Sequence, residues 1–409
     1  ANGVLATTWM AFILSESDHR KVSVQDWAQR HQQLLERFWN QPVRSVEFSD
    51  DRLSIVLRRL HQADWTALET DLWHNTCQVY EIPFDCVRLD ATTSYGYHQT
   101  TDEGVMQLGH SKDHRPDLPQ FKLMAAVAQP TSQMMACDIV AGNCADDPLY
   151  LPLIRRVRQQ LGRKGLLYAG DCKMAALETR AELAAKGDFY LMPLPRTGEV
   201  AAQWDAWIDQ ALAKPEQLKS LSRPGEEDAP EVFARGYEWE RTLSAPVGEE
   251  LVTWTERVQI VQSLELAERQ GKQLEQRLQR AEEQLRALTP PVKAGYRQHR
   301  QEATLQAAVS EVLRSQQVEG LLRVTWEAEV TTQEKYQGRG RGGPQRQKVK
   351  VEKIRYVIAG IGREETEIAR RKERLGWRAQ VTNLARRRCS LLDAVLIYWN
   401  YAAQLEAQG

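Results

Sequence analysis

Two aspartates lie at the ends of short apolar runs that are typical of buried strands. Asp90 follows Val87-Arg88-Leu89, and Asp171 ends the stretch that begins at Gly165. Because a carboxylate at the end of a buried strand is costly to desolvate, it usually has a partner or a metal ion. Two such carboxylates on neighbouring strands would suit hard divalent cations, which prefer oxygen ligands. Asp90 and Asp171 are therefore candidate metal ligands.

The loop from Gly109 to Gln120 follows the first aspartate and mixes basic with acidic residues. Its basic side chains are candidate contacts for DNA phosphates: Lys112, His114 and Arg115. A second interpretation is a local salt-bridged loop formed by Arg115 with Asp113 and Asp117. Both interpretations stay open at this point.

Two further acids precede a proline in Asp146-Asp147-Pro148. Acidic residues before a helix are favoured by the helix dipole, and proline is common in the first turn. We therefore interpret these acids as a helix cap and not as metal ligands.

The overall composition is that of an ordinary folded protein. The chain has 409 residues, of which 42% are hydrophobic and 27% charged, so two or three domains are expected. Six cysteines without a CxxC pair or zinc-type spacing indicate reduced thiols in a cytoplasmic protein. The apolar stretch from Gly3 to Leu14 is too short to span a bilayer and lacks a basic leader, so we expect no signal peptide and no membrane segment.

The net charge of −1 hides a strongly basic segment. Residues 335–388 contain 17 Lys and Arg against 5 Glu, which gives this segment a charge of +12. A local basic surface is enough to neutralise DNA phosphates. The basic tip at residues 338–346 supplies three candidate DNA contacts, Arg339, Arg341 and Arg346. A solvated surface of mixed charge is the alternative.

Hydrophobic spacing predicts helices over residues 1–80. Trp9, Ile13 and Leu14 would share one buried face. Further on, large residues recur at helical spacing: Trp27, His31, Leu34, Leu35 and Phe38. A helical module in this place is suited to DNA contacts, and packing in a core explains the same positions equally well.

From Val87 the pattern changes to short strands separated by turns. Three strands, at residues 87–89, 105–108 and 121–124, are predicted to form an antiparallel meander. A helix, the strand before Asp171, a second helix and a further strand follow in that order. This alternation predicts a protein of the mixed α/β class.

The second half of the chain predicts longer elements. A connector with a few strands over residues 215–250 precedes a long helix from about Glu256 to Leu288, which Pro290-Pro291 ends. We expect it to pair with a helix over residues 302–315. Two long strands then flank the basic tip, and a helix over residues 391–408 closes the chain.

The motifs and their order resemble the insertion-sequence transposases of the DDE class, in the branch related to the insertion-sequence-four group. The matching stretches are Leu89 to Thr93, Gly109 to Gln120, Ala145 to Tyr150 and Gly170 to Met174. The resemblance implies an RNase H-like mixed sheet with helices on both faces, an N-terminal helical region and an inserted helix/β domain. It also implies that Asp90 and Asp171 are the first and second catalytic aspartates.

The family places its third acid on a helix after the inserted domain, in a Tyr-x-x-Arg-x-x-x-Glu arrangement. Glu406 is the only glutamate of the predicted final helix, which makes it the candidate third catalytic residue and metal ligand. The sequence departs from the family here. Seven residues before Glu406 stands Trp399, Tyr398 leads to Leu405 at the same spacing, and neither register contains the arginine.

The implied function is DNA transposition. Asp90, Asp171 and Glu406 would bind two Mg²⁺ (or Mn²⁺) ions for cleavage at the ends of the element and for strand transfer to target DNA. The implied partners are DNA and a second copy of the protein on that DNA, with no membrane. Two alternatives stay open: a catalytically lost DNA-binding remnant, and a metal-dependent nuclease without strand transfer.

The resemblance also implies four segments. Residues 1–80 form the N-terminal helical region, 81–195 the first part of the catalytic core, 196–376 the inserted domain, and 377–409 the return to the core. Because the sequence begins without methionine and stops within a predicted helix, we expect a fragment of a longer protein.

Overall fold

The computed structural model describes residues 2–82, 84, 86–223, 231–293, 296, 298–336 and 347–406, with only the backbone for residues 400–406. Two compact units make up the chain. The first comprises Ala1–Phe84, Ala125–Asp138 and Leu153–Gly162, and the second comprises Asp85–Met124, Ile139–Pro152 and Arg163–Gly409.

Helices form the N-terminal part of the first unit, as the hydrophobic spacing predicts. They are α1 (Asn2–Glu16), α2 (Val24–Arg30), α3 (Gln32–Trp39), α4 (Asp50–His61) and α5 (Trp65–Tyr80).

The core of this helical part contains Trp27 and Leu35, as predicted. Three residues predicted to be buried are exposed: Leu14, Leu34 and Phe38. Between α2 and α3, His31 has a non-helical backbone with φ −104° and ψ 16°. This break changes the helical phase, so Leu35 points inward in place of its neighbour. Leu14 lies on the side of α1 away from the buried Phe12.

The strand predicted at residues 105–108 is wrong, because only an isolated bridge forms there, between Gln107 and Gln120, and a strand at residues 133–141 completes the three. The elements that follow the helices of the first unit still alternate as expected for the α/β class. They are β1 (Cys86–Tyr95), β2 (Gln120–Gln129), β3 (Gln133–Ala141), α6 (Tyr150–Leu161), β4 (Leu167–Ala169), α7 (Leu177–Ala185) and β5 (Phe189–Pro193).

The rest of the second unit contains longer strands and helices. They are α8 (Gly198–Ala213), β6 (Lys219–Ser222), β7 (Val232–Val247), β8 (Glu250–Ser263), α9 (Leu264–Ala287), α10 (Glu302–Ser315), β9 (Leu322–Tyr336), β10 (Lys348–Arg363), α11 (Glu365–Glu373), β11 (Trp377–Thr382) and α12 (Leu391–Glu406).

A nine-stranded sheet has the order β3-β2-β1-β4-β5-β11-β8-β7-β6. Strands β1, β4 and β5 are parallel neighbours, whereas β11 pairs antiparallel with both β5 and β8. The mixed α/β class is confirmed. The first five strands of this order, β3-β2-β1-β4-β5, have the arrangement of an RNase H-like sheet.

Helices α7 and α12 cover opposite faces of the sheet at β8. Neighbouring residues on a strand point to opposite faces. Arg257 donates to the carbonyl oxygen of Cys389, just before α12, at 2.7 Å. Its neighbour Glu256 accepts from Arg180 of α7 at 2.6 Å. The expected placement of helices on both faces is confirmed.

The long helix predicted from Glu256 begins instead at Leu264, where the Ser263 hydroxyl accepts the Leu266 N–H as an N-cap. Residues 256–263 belong to β8 and are buried throughout. Because this strand is covered on both faces, it lacks the strict alternation of apolar and polar residues by which a half-buried strand is recognised. Its pattern is therefore interpreted as that of a helix.

Helices α9 and α10 pack together through their apolar faces, as predicted. Leu274 and Leu278 of α9 share a core with Leu305 and Val309 of α10. Strands β9 and β10 form a separate antiparallel hairpin, in which Lys348 pairs with Tyr336. The predicted basic tip at residues 338–346 lies outside the described residues. Among the described helices, none is both long and apolar enough to cross a membrane.

A buried carboxylate, that of Glu256, joins α7 to strands β5, β7 and β8. Its Oε1 accepts from Arg180 at 2.6 Å and from the Tyr190 hydroxyl at 2.7 Å, and its Oε2 accepts from Arg241 at 2.6 Å. Its side chain is fully buried. Removing this charge would leave two arginines without their carboxylate.

We predict that Glu256→Gln lowers the free energy of unfolding by about 3–5 kcal/mol, since one partner of a buried ion pair is lost. Urea unfolding followed by circular dichroism measures this change. The control is Glu311→Gln, which breaks an exposed pair with Arg314 and should cost at most about 1 kcal/mol. Equal effects of the two substitutions would contradict a structural role for the Glu256 network.

Candidate active site

Asp90 and Asp171 lie beside each other at the edge of the sheet where β4 ends. Only Asp171 follows the end of its strand, as predicted, whereas Asp90 lies within β1, which continues to Tyr95. Strands β1 and β4 are parallel neighbours, and Arg88 is opposite Ala169 in their register. Each aspartate is two residues beyond its member of this pair, so the two lie level with each other. Neighbouring strands are about 4.8 Å apart. The structure thus brings together the two aspartates that the sequence predicts as ligands.

A glycine permits this close approach. A Cβ atom on Gly170 would lie 2.5 Å from the sulfur of Met174 and 3.3 Å from the backbone oxygen of Leu89. The first distance is a steric overlap, and the second is tight for a side chain. A side chain at this position would require the Met174 side chain to move and would crowd the Leu89 backbone of β1.

The Asp171 carboxylate is held by two donors. Its Oδ1 accepts from the Tyr150 hydroxyl at 2.6 Å and from the Lys173 N–H at 2.9 Å. Tyr150 is completely buried at the start of α6. Burial and the neighbouring negative charge of Asp171 raise the pKa of this phenol, so Tyr150 remains a hydrogen-bond donor at neutral pH.

The Asp90 carboxylate accepts fewer hydrogen bonds than the Asp171 carboxylate does. It accepts the N–H of Ala91 at 2.7 Å. Burial raises its pKa above the ordinary 3.8, and the charges of Asp171 and Asp146 raise it further, while the Ala91 N–H and Lys112 oppose this rise. Loss of water is thus the main cost of the Asp90 charge, and the Ala91 N–H and Lys112 offset only part of it.

Asp146 is a third carboxylate beside the pair. It lies at the N-cap position of a short 3-10 helix, with Asp147 and Pro148 in the first turn, as the helix-cap interpretation predicts. Its side chain makes no capping hydrogen bond and pairs instead with Lys122 of β2, with 2.5 Å between Nζ and Oδ1. This pair is a charge-assisted hydrogen bond, which is stronger than a bond to a neutral backbone N–H.

Helix α12 approaches the same edge of the sheet. The Arg88 guanidinium donates to the carbonyl oxygen of Ile397. Burial raises the pKa of the next residue, Tyr398, to about 12, and Asp171 adds to that rise. The side chain of Glu406, at the end of this helix, lies outside the described residues, so its role as third ligand stays a prediction.

The predicted DNA contacts of the 109–120 loop differ in their surroundings. Lys112 donates to the carbonyl oxygen of Ala91 beside the site. Arg115 forms an ion pair with Asp117 at 2.8 Å and lies over the Tyr95 ring, as in the salt-bridged interpretation. His114 is exposed, with a positive φ of 56°. The remaining predicted contacts lie outside the described residues: Arg339, Arg341 and Arg346.

The donor set fits a hard divalent cation. Asp90 and Asp171 present carboxylate oxygens, the ligand type that Mg²⁺ and Mn²⁺ prefer. A cation bound here would stabilise the charged form of the partly buried Asp90. In the part of the chain that the structure describes, no three His, Cys, Asp or Glu side chains are grouped so that they could hold a metal.

Sequence reasoning missed three residues near the site: Lys122, Asp146 as an ion-pair partner, and Tyr150 as a donor to Asp171. Tyr150 is part of a stretch that resembles the family, but nothing in its spacing from Asp171 indicates a hydrogen bond. These contacts join β2, the start of α6 and the turn after β4, and periodicity within one element gives no signal for them.

The comparisons with known proteins point to one family. Residues 84–243 match the model of the family described as transposase DDE domain, and this segment includes Asp90, Asp146 and Asp171. No curated protein matches the sequence. The cryo-EM structure of a piggyBac transposase synaptic complex with hairpin DNA is similar over 53% of this chain and 41% of that chain, at 11% identity. Its TM-score of 0.23 is too low to carry an argument.

We predict that Asp90→Asn stabilises the metal-free protein at neutral pH. Because burial raises the pKa of Asp90, the folded state binds its proton more tightly than the unfolded state does. Stability is therefore lost as the pH rises from 3.8 through the folded pKa, and asparagine removes this loss. The measurement is the thermal midpoint in EDTA across this pH range.

The stabilisation by Asp90→Asn should shrink as the pH falls toward 3.8, the ordinary value. The control is Asp117→Asn, which removes an equal charge from an exposed loop where Arg115 lowers the pKa of the carboxyl. This variant should not be stabilised at neutral pH. If the change in thermal midpoint caused by Asp90→Asn does not depend on pH, the surroundings do not raise the pKa of this carboxyl.

Proposed function

Because residues 84–243 carry a DDE-class transposase domain, we propose that this protein is the DNA transposase of an insertion sequence. It would cleave a phosphodiester at each end of the element and join the freed 3′-hydroxyl to target DNA. The observation that supports this proposal most directly is the level placement of Asp90 and Asp171 on adjacent parallel strands. Both residues lie within the matched segment.

Asp90 and Asp171, with Glu406 as the third acid, would hold two Mg²⁺ or Mn²⁺ ions. When bound, such ions lower the pKa of water and stabilise charge on phosphate oxygens. The chain's own groups keep the ligands in place. Tyr150 and the Lys173 N–H orient the Asp171 carboxylate, and Gly170 keeps the turn against β1.

DNA would be positioned by basic groups on two parts of the chain. Lys112, His114 and Arg115 lie on the loop that follows β1, and Arg115 would first have to exchange Asp117 for a phosphate. Arg339, Arg341 and Arg346 would contact phosphates from the hairpin tip. Contacts to phosphate position DNA without reading its sequence. We propose that two copies of the protein act together on the DNA.

We predict that Asp90→Asn and Asp171→Asn each reduce Mg²⁺-dependent cleavage to background while the circular dichroism spectrum is unchanged. Asparagine keeps the shape of each side chain but removes the charge that a cation requires. The assay follows nicking of a labelled duplex that carries the element's end. The matched control is Asp102→Asn, in an exposed turn, which should cleave normally.

Cleavage by either variant at the wild-type rate would remove that aspartate from the site. The same assay on Glu406→Gln tests the third ligand, and wild-type cleavage by this variant would exclude Glu406. Cleavage without any joined product would favour the metal-dependent nuclease. Binding without cleavage by the wild-type chain would favour the DNA-binding remnant.

Neutralising the hairpin tip should weaken the dependence of DNA binding on salt. The triple variant Arg339→Gln, Arg341→Gln, Arg346→Gln releases fewer counterions, so the slope of log K against log salt should become shallower by up to about 3. Fluorescence anisotropy with a labelled duplex measures this slope.

The charge-matched control for the tip replaces three exposed arginines that already have acidic partners, Arg286, Arg314 and Arg370. This control should leave the salt dependence close to that of the wild type. A tip variant with an unchanged slope would show that the tip does not contact DNA.

A further inference from the structure

A second basic surface lies away from the aspartates, in a groove formed by α8, α9, α11 and the start of β11. Its volume is about 900 Å³. Five arginines line it: Arg196, Arg277, Arg280, Arg371 and Arg374. Among the lining residues only Asp205 is acidic. The groove therefore combines a high density of guanidinium groups with little compensating negative charge.

The carboxylate of Asp205 already forms ion pairs with two of these arginines. Asp205 Oδ1 lies 2.9 Å from Arg374 and 3.2 Å from Arg196. Arg374 also pairs with Asp209, and the Arg196 guanidinium lies over the Trp204 ring. These contacts fix two of the five arginines at one end of the groove and leave no acid for the others.

The other three arginines have no ion pair with a described residue. Arg277 donates to the neutral amide oxygen of Gln317 at 2.8 Å, and its Nε is buried without a partner. Arg280 and Arg371 are exposed along the groove. Because Arg277 and Arg280 are three residues apart on one helix, their like charges destabilise each other. An anion in the groove would relieve this repulsion.

Helix α9 presents a polar stripe to the groove, which consists of Gln270, Gln273, Arg277 and Arg280. The apolar side of the helix lies about a quarter turn away and is buried against α10. At 1.5 Å per residue the stripe is about 15 Å long. Phosphates along one strand of duplex DNA are about 3.4 Å apart along the axis, so about four of them would lie beside the stripe.

We propose that this groove binds the sugar–phosphate backbone of DNA, as a surface separate from the aspartate pair. Planar guanidinium groups bind phosphate in a bidentate manner, and glutamine amides donate to the same oxygens. The lining also contains Trp204 and Trp377, so the choice of DNA over an acidic protein is supported by the match between the stripe and the spacing of phosphates. The proposal rests on the proposed function for its choice of DNA as the polyanion.

The first test is the salt dependence of binding. The triple variant Arg277→Gln, Arg280→Gln, Arg371→Gln should have a slope of log K against log salt that is shallower by about 2 to 3. Binding is measured by anisotropy in EDTA, with a labelled duplex of arbitrary sequence, so cleavage plays no part. The control triple of Arg286, Arg314 and Arg370 should keep the wild-type slope.

The second test is proximity, which does not depend on affinity. A photoreactive benzophenone amino acid at Gln276, which lines the groove, should cross-link to the duplex. The same group at Gln279, exposed on α9 but outside the groove lining, is the matched control and should cross-link weakly.

The outcomes separate this proposal from the proposed function. An unchanged slope together with equal cross-linking at Gln276 and Gln279, in a protein that cleaves DNA, would overturn the groove alone. Binding and selective cross-linking in a wild-type chain that does not cleave would support the groove and contradict transposase activity. Displacement of cross-linking by polyglutamate but not by unlabelled DNA would overturn the assignment to DNA, as would a wild-type chain that binds no DNA.

Discussion

The parallel pairing of β1 with β4 is the constraint on which the site depends. It places Asp90 and Asp171 at one sheet edge, where two negative charges repel each other and lose part of their water. Neighbouring groups lower the free-energy cost of placing these two charges together but do not remove it. Gly170 lets the strands approach, and Tyr150 fixes one carboxylate by a hydrogen bond. Burial still raises the pKa of Asp90, so a cation bound beside it would stabilise its charged form.

Buried ion pairs farther along the sheet connect it to helices α7 and α12. Glu256 connects α7 to one face, while Arg257 pairs with Glu238 at 2.5 Å and donates to the segment before α12 on the other. Such pairs add little net stability, but losing one partner is costly. Their main effect is to set the position of each helix. The placement of α12, which carries Glu406, therefore depends on contacts made more than one hundred residues earlier in the chain.

The arginines differ in whether an acidic side chain neutralises their charge. An arginine with an acidic neighbour, such as Arg115 with Asp117, has part of its charge neutralised within the protein. Arg277, Arg280 and Arg371 have no such neighbour among the described residues, and they lie together in one groove. A nearly neutral chain can thus present locally basic surfaces, because the pairing of charges is decided by position in the fold and not by composition.

Local pattern in the sequence determined the α/β class, the placement of Asp171 just after a buried strand, and the pairing of α9 with α10, but it did not show that β1 continues past Asp90 to Tyr95. Each depends on the period of one or two elements, which neighbouring residues specify directly. Tertiary structure decided the rest. Glu256 begins a buried stretch of strand and not a helix, and Leu35 is buried in place of Leu34. Asp146 pairs with Lys122, and Tyr150 with Asp171. These outcomes depend on which elements cover a strand and on which side chains from distant segments contact each other. The periodicity of a single element carries no information about such contacts.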